Sequence, residues 1–281
     1  MPIDQELILQ CAQELNIDPH AVLLAYTRGI DDICDMAEFF GIEAAEEVDP
    51  FLFPDMAKAA ERVRKAVDGF ESIAVYGDYD VDGVSATAIL YECLTNLGAQ
   101  VRCKLPTREG GGYGLNRETL QKLADKGYKL IVTVDNGISA IEEADLAAEL
   151  GIELVITDHH LPAQQLPKAV AVVDPKREDD TSPFKDLCGA GVAFKLCAAL
   201  EGCEDPAELL EPFGELAALG TIADVMPLVG ENRTIVREGL SLLQDTMRPG
   251  LHAPSKEKMQ AFLQILRQTI PNAHIRGEEN D

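Results

Sequence analysis

The sequence predicts an α/β protein with a five-stranded, mainly parallel sheet flanked by helices. Its 281 residues are 46% hydrophobic and 26% charged, which is an ordinary globular mixture. Between residue 71 and about residue 173, short apolar runs alternate with helical stretches. Apolar strands separated by helices are typical of a parallel sheet that is covered on both faces. We therefore expect this sheet to be the centre of the molecule.

A helical N-terminal cap is predicted for residues 1–70. Apolar residues recur at helical spacing near the start, and Asp18-Pro19 is typical of a second helix that begins with proline in its first turn. After a loop at Asp49-Pro50, a third apolar face leads to a helix that ends near Gly69.

Residues 71–230 are predicted to carry the sheet, and residues 231–281 a trailing helical segment. The predicted strands are 73–76, 101–105, 130–134, 153–157 and 170–173, with helices at 84–97, 117–126 and 138–150. Further helices are predicted at 189–200, 206–219 and 233–243, and around Met259 and Leu266. No internal repeat is visible.

Composition limits the partners and the compartment. Lys and Arg number 24 against 49 Asp and Glu, a net charge of −25, which argues against a non-specific coat on nucleic acid. Bound divalent cations can still invert the field inside one cleft. Seven cysteines without a C-x-x-C pair favour free thiols in a reducing cytoplasm. No apolar run is long enough for a membrane span, and the acidic N-terminus is unlike a signal peptide.

Acidic residues follow four of the predicted strands, at Asp78, Asp135, Asp158 and Asp174. Ligands of parallel α/β sheets gather beyond the carboxyl ends of the strands. A single aspartate in this place is more often a helix N-cap, and that alternative suits Asp174 before Pro175. The four together predict convergence on one rim.

Asp78, Asp80 and Asp82 form the densest acidic cluster of this rim. Three carboxylates within five residues repel each other unless a cation binds them. The pattern resembles the start of a calcium loop, but Ile89 stands where the final glutamate would be. Oxygen ligands with a histidine suit Mn²⁺ or Mg²⁺, and the lack of cysteine at the rim argues against zinc.

Asp158-His159-His160 brings two imidazoles to the same rim. Neighbouring side chains of an extended strand point to opposite faces, so at most one histidine is expected to bind a given metal. The other would contact a phosphate or act as a general acid. An exposed pair of loop histidines is the alternative.

Three further features suit an anionic substrate. A glycine-rich loop at 106–115 carries Arg108, which could clamp a phosphate, although such loops are often only flexible turns. The helix that starts near Gly189 could seat a phosphate on its amides, or the small residues could simply allow close packing. Asp224 lies among apolar residues, where a carboxylate without a cation or donor is costly.

These residues resemble the four motifs of the DHH phosphoesterases, and among them most closely the RecJ single-strand-specific exonucleases. The motifs occur in the family order, as VYGDYDVDGVSAT at 75–87, VDNG at 134–137, TDHH at 157–160 and GTIADVMPL at 220–228. RGI at 28–30, DPF at 49–51, GYGL at 112–115 and GAGVAFK at 189–195 also look RecJ-like. The resemblance runs from about residue 28 to about residue 251.

The resemblance implies a two-metal phosphodiesterase that uses Mn²⁺, or Mg²⁺ as a substitute, to remove mononucleotides 5′→3′ from single-stranded DNA in repair or recombination. A narrow cleft would exclude duplex. The implied metal ligands are Asp78, Asp80, Asp82, Asp135, His159 and Asp224. The implied catalytic residues are His160, Asp80 and Asp135. The implied substrate-binding residues are Arg108, Tyr113, Gly114, Gly189 and Gly191.

Two departures leave alternatives open. Tyr76 occupies the place where many DHH relatives have a histidine. RecJ enzymes continue into a DHH-associated domain and an OB-type module, whereas this sequence reaches Asp281 without either motif. We therefore expect a fragment or a shortened family member, for which a separate chain could supply the missing domain. A phosphodiesterase for short oligonucleotides or cyclic dinucleotides is one alternative, which the acidic balance slightly favours. A non-catalytic adaptor with the DHH fold is the other alternative, although every mapped ligand position is filled.

Overall fold

A single five-stranded parallel sheet forms the centre of the protein, in the order β2-β1-β3-β4-β5. The computed structural model describes residues 4–43, 48–106, 114–203 and 206–252. The strands are β1 Ser72–Tyr76, β2 Gln100–Lys104, β3 Leu130–Val134, β4 Glu153–Thr157 and β5 Ala171–Val173. All pairs are parallel, so the predicted fold class is confirmed.

Helices connect the strands and cover the sheet. They are α1 Gln5–Leu15, α2 Pro19–Tyr26, α3 Ile33–Phe40, α4 Met56–Asp68, α5 Val81–Asn96, α6 Arg117–Asp125, α7 Ile141–Glu149, α8 Gly189–Glu201, α9 Leu210–Ala223, α10 Gly230–Leu243 and α11 Pro249–His252. The helix predicted at 206–219 is instead a 3₁₀ turn, Pro206–Leu209, followed by α9. Among the described residues, no helix has both the length and the apolar character needed to cross a lipid bilayer.

Each face of the sheet has its own core. Ile73 and Val75 of β1 pack with α4, α5, α8 and α9, whereas Ala74 and Tyr76 pack on the other face with α6 and α7. This alternation is the two-residue period of a strand with both faces buried. Residues 189–200 of α8 are all buried, which fits a helix that is apolar on every side.

The first three helices form a small cluster of their own around Cys11, Val22 and Met36. By contrast, α4 shares the main core with the sheet. A buried ion pair between Lys195 of α8 and Glu231 of α10 joins these two helices to the loop before α4. Both side chains form hydrogen bonds with the backbone of Val48 in that loop. The division into 1–70, 71–230 and 231–281 stays a prediction, and residues 253–281 lie outside the described part.

Candidate metal centre

The strand order brings the acidic segments together. The chain leaves β1 towards β2 on one side of the sheet, whereas β3 and β4 lie on the other side. Ligands of such sheets bind at this reversal, beyond the carboxyl ends of the strands. The segment 78–82 follows β1, Asp135 follows β3, and Asp158-His159-His160 follows β4. Asp224 reaches the same place from the end of α9.

Seven side chains from these segments form three overlapping groups, within each of which the ligand atoms lie within 4.8 Å of one another. The groups are Asp78, Asp80 and Asp135; Asp82, His159 and Asp224; and Asp135, His159 and His160. All residues predicted from the sequence as metal ligands are therefore in one cluster.

His159 lies at the centre of the cluster. Its Nε2 is 3.1 Å from Oδ1 of Asp135, 3.6 Å from Oδ2 of Asp82 and 3.7 Å from Oδ2 of Asp224. Its ring is 7% exposed, so the imidazole faces the carboxylates rather than solvent. Asp135 belongs both to the group around His159 and to the group with Asp78 and Asp80. A carboxylate shared in this way can bridge two cations.

The donors suit hard divalent cations. They are carboxylate oxygens and imidazole nitrogens, the ligand set of Mn²⁺ or Mg²⁺ rather than of a thiolate metal site. Asp78 is fully buried, and its Oδ2 has no hydrogen-bond partner among the described residues. A buried carboxylate oxygen without a partner is costly, and a cation would satisfy it. The residues therefore fit a pair of divalent cations.

The electrostatics of the cluster also favour the binding of positive charge. Burial raises the pKa of Asp135 to about 7, and repulsion from Asp82 and Asp80 adds to it although His159 opposes it. Burial likewise raises the pKa of Asp78 and of Asp82. The pKa of His159 is also raised, because the hydrogen bond to Asp135 and the charge of Asp82 outweigh burial. Protons and cations would therefore compete for the same carboxylates.

The N-terminus of α8 holds Asp82 in place. The amide of Gly189 donates to Oδ2 of Asp82 at 2.6 Å, and that of Ala190 to Oδ1 at 2.8 Å. A carboxylate at a helix N-terminus is favoured by the exposed amides and the helix dipole. The amide of Gly191 donates to Sγ of Cys188 at 3.4 Å. The sequence assigned these amides to a phosphate, and that role stays a prediction beside the contacts observed here.

Two glycines make room for the ligands. A Cβ added to Gly189 would lie 2.4 Å from Cβ of Asp135, and one added to Gly220 would lie 2.4 Å from Oδ1 of Asp82. Real Cβ atoms do not approach other atoms so closely. Both glycines belong to motifs that are visible in the sequence. The contacts that require glycine link distant segments, however, so the sequence alone could not predict them.

Asp158 positions His160, a role that the sequence analysis did not assign. Oδ1 of Asp158 lies 2.7 Å from Nδ1 of His160 and accepts from the amide of His159 at 2.8 Å. Its Oδ2 accepts from the amide of Ile138 at 2.9 Å. The hydrogen bond to Asp158 raises the pKa of His160 to about 9. The visible signal was the Asp directly before the histidine pair.

Two other buried polar residues at this rim were not predicted as functional. Asn136 donates from Nδ2 to the carbonyls of Tyr76 and Val134, at 3.2 and 2.8 Å, and so joins β1 to β3 beside the cluster. Asp174 caps no helix; its Oδ1 accepts from the amide of Lys176 at 2.7 Å, and burial raises its pKa to about 7.

The predicted substrate-binding residues are only partly visible. Arg108 and Tyr113 lie outside the described residues. Gly114 is described, and its carbonyl accepts a hydrogen bond from the hydroxyl of Tyr76 at 2.9 Å. Tyr76 is fully buried, so the residue at the place of the family histidine supports the loop before α6 through this hydrogen bond.

Comparison with family models matches residues 72–221 to the N-terminal domain of the DHH family. This range covers more than half of the chain and contains the whole sheet. The chain belongs to the DHH family. The first three motifs lie within this range, whereas the fourth, at 220–228, only begins at its end, so Asp224 lies just beyond the match.

RecJ exonucleases are among the proteins to which the chain is similar. The chain is 44% identical to the single-stranded-DNA-specific exonuclease RecJ of Bacillus subtilis over 248 residues, which are 88% of this chain and 31% of that protein. A crystal structure of exonuclease RecJ bound to manganese matches with a TM-score of 0.64 and 39% identity, over 71% of this chain and 50% of the other. RecJ of Thermus thermophilus in complex with Mn²⁺ matches with a TM-score of 0.71 and 32% identity, over 89% and 35%.

This DHH-family chain spans about a third of the length of the curated relatives it matches, 31% of the Bacillus subtilis protein and 37% of the Dickeya dadantii protein. The matched third contains the carboxylate and histidine cluster. The activity and the substrate of whole RecJ proteins are therefore only proposed for this chain.

Proposed function

We propose that this chain binds two divalent cations, Mn²⁺ or Mg²⁺, and hydrolyses phosphodiester bonds of single-stranded DNA from the 5′ end to mononucleotides. The observation that carries the proposal is the sharing of Asp135 between two groups of ligands. The similarity to RecJ proteins described as single-stranded-DNA-specific exonucleases gives the substrate. Repair or recombination of DNA is the proposed context.

Asp78 and Asp80 would hold one cation and Asp82, His159 and Asp224 the other, with Asp135 between them. When bound, such a pair supplies positive charge at both the attacking and the leaving oxygen of an in-line displacement. The protein itself keeps the ligands in place. The α8 amides fix Asp82, and the left-handed backbone of Asp135 (φ 59°) directs that residue to the centre.

His160 would orient the scissile phosphate or donate a proton to it. Its Nδ1 is engaged by Asp158 at 2.7 Å, which fixes the orientation of the ring. Its side chain is 45% exposed, in contrast to the buried His159, so it is the histidine that a phosphodiester would meet. Arg108, Tyr113, Gly114, Gly189 and Gly191 stay predicted substrate contacts.

The test is hydrolysis of a 5′-phosphorylated single strand with Mn²⁺, with Mg²⁺ and with chelator. We expect mononucleotide release with either metal and none with chelator. Asp135→Asn should lower the rate about a hundredfold or more, because a bridging ligand loses its charge. The matched control is Asp145→Asn, which changes a surface carboxylate of α7. Equal rates for the two variants, or release in chelator, would reject the proposal.

A cytoplasmic location is part of the proposal, supported by seven cysteines that are all unpaired. A separate chain that completes the cleft stays a prediction. The chain's net charge of −25 gives no general attraction for a phosphate backbone, so binding would depend on the cleft itself.

A further inference from the structure

Exposed apolar side chains directly follow the ligands in three separate segments. Tyr79 follows Asp78 and is 38% exposed, Leu161 follows His160 and is 81% exposed, and Val225 follows Asp224 and is 75% exposed. Single exposed apolar residues are normal on a protein surface. Here, however, the ligands meet in one cluster, so the residues beside them belong to the same rim. We call Tyr79, Leu161 and Val225 the apolar rim.

Val225 occupies a backbone position that strongly favours glycine. At the end of α9 the amide of Val225 donates to the carbonyl of Ile222 at 3.1 Å, and that of Met226 to the carbonyl of Thr221 at 3.1 Å. This is the Schellman pattern, in which the residue at the Val225 position is usually glycine. Val225 has φ 57°. A β-branched residue in this region is an outlier with a real cost.

Packing does not explain why valine stands there. With 75% of the residue exposed, the side chain gains little from burial within this chain. Strained residues of this kind cluster at functional sites, where a ligand gives the side chain its use. Of the non-glycine residues with positive φ in the described part of the chain, Asp135 and Val225 both lie at the cluster. The side chain of Val225 is therefore best explained by contact with what the cluster binds.

The chemistry of the rim favours bases over phosphates. An apolar side chain gives nothing to a phosphate, and the acidic chain provides no general electrostatic grip. The bases of a single strand are unstacked and offer apolar faces, as they do to other single-strand-binding proteins. In a duplex the same faces are covered by stacking. An apolar rim around a phosphodiester site would thus bind single strands more tightly than duplexes.

We propose that the apolar rim, which includes the strained Val225, is a base-contact subsite that binds the nucleobases next to the scissile phosphodiester. This inference rests on the proposed function and names the part of the substrate that the rim recognises. It makes the bases, rather than the charge of the backbone, a source of selectivity for single strands.

The test compares two phosphorothioate single strands of equal length in Mn²⁺, one of thymidine and one of abasic residues, by fluorescence anisotropy with the full chain. Both strands carry the same charge, so their ratio of affinities reports base contact. We expect wild type to bind the thymidine strand about fivefold to tenfold more tightly. Val225→Gly and, separately, Leu161→Ser should each lower this ratio at least about twofold.

Phe70→Gly is the matched control. Phe70 is also exposed (71%) and has φ 52°, but it precedes β1 at the opposite end of the sheet. Both glycine variants should melt no lower than wild type, since glycine is at ease in this region. Of these two glycine variants, only Val225→Gly should lower the ratio of affinities.

Several results would overturn the inference. They are equal binding of both strands by wild type, no binding of either strand, an unchanged ratio in Val225→Gly and Leu161→Ser, or the same fall in Phe70→Gly. Self-association that Val225→Gly abolishes, with strand binding unchanged, would make the rim a protein-docking surface instead. Failure of the proposed function looks different, because there Mn²⁺-dependent hydrolysis is absent while the ratio of affinities persists.

Discussion

Asp135 combines three unusual properties in one residue. It is 2% exposed, it has φ 59°, and burial raises its pKa to about 7. Aspartate tolerates the left-handed region better than most residues, so this residue type suits a sharp exit from β3. The same turn sets its carboxylate between two groups of ligands. The backbone conformation of Asp135 thus places its carboxylate where both groups can share it.

Gly189→Ala is expected to damage the cluster although it replaces none of the cluster residues. Its Cβ would lie 2.4 Å from Cβ of Asp135, so either α8 or Asp135 must move. Supporting residues of metal sites change affinity or activity by about 10- to 100-fold, and we expect a loss of Mn²⁺ affinity in that range. Isothermal titration measures it.

Gly250→Ala is the control for this prediction, because a Cβ at Gly250 meets nothing within 4 Å. Unchanged Mn²⁺ affinity in Gly189→Ala would show that the cluster does not need this clearance. A loss in both variants would point to a general effect on folding.

The members of the cluster could be predicted at this scale, but their contacts could not. Asp80, Asp135 and His159 stand out because carboxylates and imidazoles directly follow apolar runs. By contrast, the partners of the Gly189 and Ala190 amides are set by tertiary packing. Asp82, which is 107 residues away, takes the Gly189 amide, and no local pattern shows this.

At the scale of elements, the edge of the sheet at β5 is protected by an ion pair. β5 is the last strand, so one side of it has no neighbouring strand. Oδ2 of Asp55 accepts from the amide of Val172 at 3.4 Å and from Nη1 of Arg177 at 2.8 Å. The same Nη1 donates to the carbonyl of Val172. Bound edge groups of this kind discourage pairing with another chain.

Asp55 should make stability depend on acid. Burial tends to raise the pKa of Asp55, but hydrogen bonds from Lys58 and Arg177 outweigh burial, and the net pKa is lowered. A lowered folded pKa means that the carboxylate stabilises the fold above its unfolded pKa of about 3.9, and that this contribution is lost as pH falls through the folded value.

Asp55→Asn should therefore lower the free energy of unfolding by about 1–3 kcal/mol at pH 7 and by little at about pH 2. Urea unfolding at both values measures the difference. Asp4→Asn is a suitable control, since Asp4 caps the exposed start of α1, whose buried residues belong to a separate cluster from the sheet cores. A gap between wild type and Asp55→Asn that persists in acid would contradict the role of its charge.

The elements themselves were largely readable from the sequence. Each predicted strand lies within one residue of its observed bounds, because buried parallel strands are continuous apolar runs between turns. The helix predicted at 206–219 was wrong in its first turn, where Pro206–Leu209 is a 3₁₀ turn. The edge contact of Asp55 was missed because its partners lie 117 and 122 residues away.

For the whole molecule, the cluster is the point at which distant segments meet. The ligands come from the segments after β1, β3 and β4 and from the end of α9, so they span residues 78–224. Cations held there would link the segment after β1 to the end of α9. A ligand that binds only the folded state stabilises it by mass action.

Mn²⁺ at a hundredfold excess over its Kd should therefore raise the free energy of unfolding by about 2.7 kcal/mol for one site. For a chain of this size, that corresponds to a rise in Tm of about 5–10 °C, measured by circular dichroism with and without chelator. Asp135→Asn should lose most of this rise, because both groups share Asp135. Asp145→Asn removes the same charge from the surface of α7 and should keep the rise. Equal shifts in the two variants would mean that Mn²⁺ acts by screening the net charge of −25 rather than by binding at the cluster.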